Sequence, residues 1–314
     1  MNVLITGGLG FVGGRLTRRL SEDHEVMVSS RKQPDEKELK LHGVVHSIEH
    51  HSLLSTEQFP KTVDVLIHLA ALNEWDSVKH PSEAIRVNID ETRQILENSI
   101  SAGVKQFIYF STAHIYGSPL TGNISESGLP VPQHPYAITH KAAEDYVIAA
   151  NLQKKIKGNV IRLSNAFGAP VSAKVNRWSL LANDLCRQAV EKGRMVLTSN
   201  GCQYRDFICL TDVEEVISQM ISKPDSLKYY LYNLGSGKSM RVLDMANAIA
   251  EKCEEVLEKK IKIEFPAGSV PTKEPELFFS IERLKSENFS MRNEMHKEIE
   301  RLVNFCAQNF VQHA

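Results

Sequence analysis

The chain of 314 residues has no C-x-x-C pair, no excess of charge of either sign and no apolar run near the ~20 residues of a membrane helix. Each of these absences narrows the field. The five cysteines (Cys186, Cys202, Cys209, Cys253, Cys306) are odd in number and confined to the second half. A disulfide framework and a zinc or dithiol site are therefore not expected, and the thiols read as reduced and buried. With 37 Lys and Arg against 38 Asp and Glu, the net charge of −1 disfavours a nucleic-acid partner, which phosphate contacts would require to be basic. The start, MNVLITGG, offers no basic leader and no small-residue cleavage site, so no membrane association and a cytoplasmic location are expected. The composition, 42% apolar and 24% charged, is that of an ordinary globular protein, and the length suits two domains at roughly 150 residues each.

The first half alternates short β-branched runs with longer amphipathic stretches, the pattern of a parallel sheet covered by helices. Strands are expected at Asn2–Ile5, Glu25–Ser29, Val63–His68, Gln106–Phe110 and Asn159–Leu163. Crossover helices are expected after Pro81, where Ile85, Ile89, Leu96 and Ile100 fall at helical spacing, and at about Tyr136–Ala150. After Pro170 come helices at about Trp178–Lys192, Asp212–Ser222, Val242–Glu258 and Asn293–Asn309. The fold class is thus α/β, a Rossmann-type doubly wound parallel sheet (1–166) with a smaller α/β substrate-binding lobe (167–314). The segment 203–235 reads as returning to the first domain. His42, His46, His50 and His51 lack the ligand pattern of a metal site, and Gly43-Val44-Val45 between them reads as strand.

The first strand runs into Thr6-Gly7-Gly8-Leu9-Gly10-Phe11-Val12-Gly13 and then an amphipathic helix. Such a turn binds a pyrophosphate. Gly7 and Gly10 let the backbone approach the phosphates, Gly13 lets the helix pack on the sheet, and the helix end supplies free N–H groups. The second strand ends Val28-Ser29-Ser30-Arg31-Lys32, without the carboxylate that would accept from the ribose 2′-hydroxyl of NAD. Ser30, Arg31 and Lys32 suit a 2′-phosphate instead, so NADP(H) is favoured over NAD(H); a solvated loop is the other reading of the two cations.

Strand four ends Phe110-Ser111-Thr112-Ala113-His114-Ile115-Tyr116-Gly117, and Tyr136 opens the next helix with His140 one turn on. Together with the glycine turn, His68-Leu69-Ala70-Ala71, Val87-Asn88, Arg162-Leu163-Ser164-Asn165, Tyr204-Arg205-Asp206-Phe207 and Asn233-Leu234-Gly235, these residues resemble the extended short-chain dehydrogenase/reductase family. The nearest likeness is to its nucleotide-sugar epimerases, reductases and dehydratases. The resemblance implies that Thr112 and Tyr136 hold the sugar oxygen that is oxidised or reduced, with the phenol as acid/base. It implies a cofactor site of Gly7, Gly10, Phe11, Val12, Gly13, Leu69, Ala70, Ala71, Asn88, Tyr136 and His140, and a homodimer. Ser111 competes with Thr112, whose hydroxyl has the alternative of bonding the backbone.

The sequence departs from the family where a Lys follows the Tyr by four residues, because here that position is His140 and Lys141 falls about 100° round the helix. An imidazole, mostly neutral at pH 7, suggests a slower or lower-pH enzyme, or a member that binds cofactor without turnover. The dehydratases of the family carry Asp-Glu where this chain has Ala113-His114, which disfavours 4,6-dehydration. His114 reads either as a proton carrier beside a ketone or as a variable strand-end residue. Asn165 and Arg205 match substrate contacts of the family, Arg205 on the phosphates, with an Arg205–Asp206 ion pair as the alternative. Trp178 stacks on a base or packs in the core. The expected activity is that of an NAD(P)-dependent epimerase or ketoreductase acting on a nucleotide-activated sugar; a reductase of a small carbonyl compound is the competing reading.

Overall fold

The computed structural model describes residues 1–310. Seven strands form one parallel sheet in the order Leu231–Leu234, Lys157–Leu163, Gln106–Thr112, Val65–His68, Asn2–Thr6, Glu25–Ser30, His46–Glu49. The chain leaves Asn2–Thr6 toward one edge and, from Val65–His68, builds toward the other. That reversal opens a crevice at the carboxyl ends of the two central strands. Both faces of the sheet are covered, which is why its central strands are shielded on both sides: every residue of Gln106–Thr112 is buried. Alternate side chains feed different cores. Val3 and Ile5 join one layer with Leu16 and Leu20 of helix Phe11–Leu20, whereas Leu4 joins the other with Phe107 and Val147.

A second core lies among helices Leu181–Lys192, Val242–Leu257 and Met295–Phe310, where Cys186, Cys253 and Cys306 pack as unpaired thiols. Burial raises the pKa of all three. Cys202 differs from the expectation in being only half-buried. The stretch 203–235 divides. Strand Leu231–Leu234 closes an edge of the large sheet and helix Leu210–Ser222 packs on Phe11–Leu20, but Tyr204–Cys209 sits in a separate three-stranded sheet with Asn165–Phe167 and Ser239–Arg241. Trp178 packs between Phe305 and Phe310 in the second core and is not a base-stacking residue.

Two local expectations are corrected. Gly43-Val44-Val45 is a turn and the strand begins at His46, after His42 has closed a short helix against the Glu38 carbonyl. The crossover helix is not uniformly α. Pro81–Ala84 and Thr92–Ser101 flank a π-helical stretch, Ile85–Glu91, whose extra residue per turn rotates the register. Ile85 is 57% exposed, whereas Asn88, Glu91 and Thr92 are buried.

The helix Pro135–Leu152 is held on the sheet by a buried ion pair. Arg162 donates from Nε to Glu144 Oε1 (3.0 Å) and from Nη2 to Glu144 Oε2 (2.8 Å), and from Nη1 to the Tyr116 hydroxyl (2.8 Å), which itself donates to Asn233 Oδ1 (2.7 Å). Removing one member leaves the other charge buried and uncompensated. Arg162→Met is expected to lower the unfolding free energy by about 3–5 kcal/mol, and the double change with Glu144→Leu to recover most of that loss. Urea titrations of the three proteins check it.

Candidate active site

Gly7 adopts φ +67°, and a Cβ there would press on Leu69 and Ala70 at 3.2 Å. A Cβ at Gly13 would come 2.1 Å from the Gly7 carbonyl oxygen, so this glycine serves the turn itself and not, as expected, helix–sheet packing. Gly8 serves the packing, because a Cβ there would meet Val28 at 2.6 Å. Helix Phe11–Leu20 starts with no side-chain cap, leaving its first N–H groups turned toward the crevice, a cradle suited to a pyrophosphate.

Across from this turn, the Thr6 hydroxyl accepts from the backbone N–H of Leu69 and of Ala70 (both 3.1 Å) and bonds His68 Nδ1 (2.8 Å). Asn88 continues the support. Its Oδ1 accepts from Leu72 N (2.7 Å) and its Nδ2 donates to Thr139 Oγ1 (3.0 Å), joining the loop after His68 to the helix of Tyr136. Asn88 does not line the cleft, so the cofactor contact that the resemblance implies is corrected; its bonds are those of a support for the loop, which is the other role the sequence suggests for it, and it is a positioning residue.

One inter-lobe cleft of about 1330 Å³ brings the remaining candidates together. Gly7, Gly10, Phe11, Val12, Gly13, Ser30, Arg31, Leu69, Ala70, Ala71, Thr112, His114, Tyr136, His140, Asn165 and Arg205 all line it. Lys32 does not; its carbonyl instead accepts from the Ser30 hydroxyl (2.6 Å), which tightens the loop and turns Lys32 out of the cleft.

At the centre, the Thr112 hydroxyl accepts from His114 N (3.2 Å) and also acts on the Tyr136 phenol. Ser111 lines the cleft too, its buried hydroxyl without a partner. Tyr136 sits one residue after Pro135, at a helix start capped by His134, and its ring lies 4.1 Å from that of His140. Burial pushes the phenol pKa well up, Glu74 adds to the rise, and Arg177 and Thr112 oppose it. The direction agrees with the absence of a lysine at position 140, where a cation would lower the phenol pKa. His140 is buried and its pKa falls to about 4, mainly through burial. Its Nδ1 lies 2.8 Å from the Tyr136 carbonyl, which can only accept, so Nδ1 carries the proton and Nε2 is left as an acceptor. Lys141 points away and pairs with Asp145.

The sequence reading missed three groups. Glu74 and Arg177 form an ion pair (2.9 Å) on the cleft wall, and burial with Arg205 and His134 nearby lowers the His114 pKa although Glu74 raises it. Asn73 capping the helix Glu74–Lys79 is a signal that could have placed Glu74; Arg177 lies in an irregular segment with no periodicity to read. At the opposite end His50 lines the cleft between Ser29 Oγ (3.3 Å) and Glu91 Oε2 (3.4 Å). Arg205 has no ion-pair partner among the described residues, and burial alone lowers its pKa. The alternative Arg205–Asp206 pair is not formed, since Asp206 is occupied by Ser164 and Ser236.

A phosphate cradle at the reversal point of a parallel sheet, facing a hydroxyl and a phenol, defines a dinucleotide-dependent protein of the extended short-chain dehydrogenase type. The chain belongs to the NAD dependent epimerase/dehydratase family, which matches residues 3–235. It is 27% identical over 269 residues to dTDP-D-glucose 4,6-dehydratase of Mus musculus, covering 81% of this chain and 73% of the relative. It is 25% identical over 296 residues to UDP-arabinose 4-epimerase 1 of Arabidopsis thaliana, covering 84% and 69%. Its fold matches that of UDP-glucuronic acid 4-epimerase from Bacillus cereus, solved with UDP-glucuronic acid and NAD, at a TM-score of 0.80 and 22% identity over 98% of this chain and 99% of that one.

The neutral interior rings make stability depend on acid. His140 and His68, whose pKa falls to about 3 mainly by burial, bind protons later than the unfolded chain, which takes them near 6.5. Stability is therefore full above pH 6.5 and falls as pH drops from there toward 4. Unfolding free energies measured at pH 7 and 4.5 are expected to differ by on the order of 2–3 kcal/mol for each ring, and His140→Gln to flatten the decline.

Proposed function

We propose that the protein epimerises a nucleotide-linked sugar, using NAD(P) as a recycled hydride carrier. The observation that carries this reading is Arg205: a largely buried guanidinium without a counter-charge, in the same cleft as the Thr112–Tyr136 dyad. A planar cation left unpaired in a cleft suits a diphosphate, and none is needed for a small carbonyl substrate. Relatives named as UDP-sugar 4-epimerases support the same substrate class. The dehydratase relatives do not shift the reading to 4,6-dehydration, because positions 113 and 114 offer Ala and His instead of two carboxylates.

The glycine turn suits the pyrophosphate of the dinucleotide, since Gly7, Gly10 and Gly13 line the cleft at the start of a helix that no side chain caps, and the tight path that brings their backbone there leaves no room for Cβ atoms. A nicotinamide held beside Tyr136 and His140 would supply the acceptor and donor of the hydride on the sugar carbon. Tyr136 accepts the proton of the sugar hydroxyl and later gives it back, while the Thr112 hydroxyl holds the same oxygen. His140 accepts from a ribose hydroxyl through Nε2, the reverse of the donation a lysine would make. His114 stands by as a neutral ring beside the reacting sugar.

At the adenosine end, Ser30 and Arg31 line the cleft with no carboxylate on their strand end, which supports NADP(H) over NAD(H). A homodimer belongs to the same reading: Ile138 (49% exposed) and Tyr146 (45%) stand on the open side of helix Pro135–Leu152. Light scattering is expected to report twice the chain mass of 35.3 kDa.

Incubation with either dinucleotide and UDP-glucose or dTDP-glucose, followed by proton NMR, is expected to reveal the epimer. Tyr136→Phe is expected to slow it by roughly 10²–10⁴-fold without loss of dinucleotide affinity. Arg205→Met is expected to raise KM for the sugar nucleotide alone, and Arg31→Ala to weaken NADP(H) more than NAD(H). His140→Lys restores a cation beside the phenol and is expected to raise the rate at pH 7 by about tenfold per pKa unit regained. An unchanged rate and pH profile would remove His140 from that role.

A further inference from the structure

The cleft contains two guanidinium groups in opposite states. Arg205 is unpaired, whereas Arg177 Nη1 lies 2.9 Å from Glu74 Oε2, both side chains being about 70% covered (28% and 31% exposed). Glu74 opens the helix Glu74–Lys79 on the dinucleotide side, and this helix packs against the helix that carries Tyr136. Arg177 comes from the irregular segment leading to helix Leu181–Lys192 of the other lobe. The pair therefore spans the wall of the cleft that Thr112 and Tyr136 also line, close enough for both charges to act on the phenol, and a sugar held by that dyad would present its neighbouring substituents to this wall. Arg177 tethers one carboxylate oxygen; Oε1 has no side-chain partner among the described residues and remains an acceptor.

We infer that Glu74 and Arg177 together set the sugar specificity, admitting sugars whose substituents beside the reacting carbon are uncharged and rejecting uronates. The inference rests on the nucleotide-sugar reading. A hydroxyl or hydroxymethyl group donates to the open oxygen of Glu74 without disturbing the ion pair. A uronate carboxylate meets Glu74 as a like charge at close range. To bind, it must draw Arg177 away and leave Glu74 without its cation on a half-buried wall that the ligand itself closes off from water. No other cation offsets this at that end: Arg205 is engaged by the diphosphate, and His114 is held toward its neutral form by burial.

Equilibrium titrations of the dinucleotide-loaded protein with UDP, UDP-glucose and UDP-glucuronate test the inference. The wild type is expected to bind UDP-glucose at least roughly tenfold more tightly than UDP-glucuronate, the ratio expected of a close like-charge contact. Glu74→Gln, which keeps the shape and frees Arg177, is expected to close or invert that gap. Arg177→Gln, which leaves the carboxylate unopposed, is expected to widen it. Equal affinities in the wild type, or a ratio unmoved by Glu74→Gln, with UDP still bound, would overturn the specificity role while leaving the nucleotide-sugar reading intact. Failure of UDP and both sugar nucleotides to bind would overturn that reading and the inference with it.

Discussion

A single hydroxyl, that of Thr6, holds the two halves of the sheet in the relation the cleft requires. It receives the N–H groups of Leu69 and Ala70, where strand Val65–His68 gives way to its loop, and it bonds His68 in turn. His68 Nε2 reaches Thr92 on the crossover helix (2.9 Å), so the acceptor at Nδ1 and the donor at Nε2 fix one neutral tautomer. Protonating that ring would turn an Nδ1–H donor on the Thr6 hydroxyl, whose oxygen already accepts from two backbone N–H groups and whose proton would lose its acceptor. The glycine turn and the loop opposite both leave the sheet from this knot. Their separation, and with it the room for a dinucleotide, is set by three buried polar groups and not by apolar packing alone.

The π-helical stretch extends the same logic to the chemical centre. Asn88, within this stretch, faces inward, where one amide satisfies Leu72 and Thr139 at once. Thr139 precedes His140, and the chain of contacts thereby links the cradle wall to the phenol without crossing open solvent. A buried amide with both functions satisfied specifies one geometry, because any shift of the helix would strand a donor or an acceptor.

The strands, the glycine turn and the order Thr112, Tyr136, His140 were legible because each depends on local pattern: β-branched runs, glycine spacing, helical periodicity. The site's outer wall was not. Glu74 and Arg177 are 103 positions apart and meet only through the packing of two lobes. The π register escaped because hydrophobic spacing assumes 3.6 residues per turn, and Ile85, Ile89, Leu96 and Ile100 satisfied that assumption on paper. The packing role of Gly8 escaped for a similar reason: Gly8 and Gly13 occupy the same motif, and only the backbone path shows which one faces Val28 and which one faces Gly7.

The histidine at position 140 changes where charge control resides. A lysine there would supply a fixed cation under the phenol. The imidazole, desolvated and bound through Nδ1 to the carbonyl of Tyr136, supplies none, and the phenol rises above its ordinary pKa. The cation that acts on Tyr136 is then Arg177, and Glu74, its own partner, opposes it. Both act on the phenol less than burial does, so the rise of its pKa follows from desolvation first and from the charged pair on the cleft wall second. With the imidazole neutral, the only charges that reach the phenol among the described residues come from that pair and not from the helix that carries Tyr136.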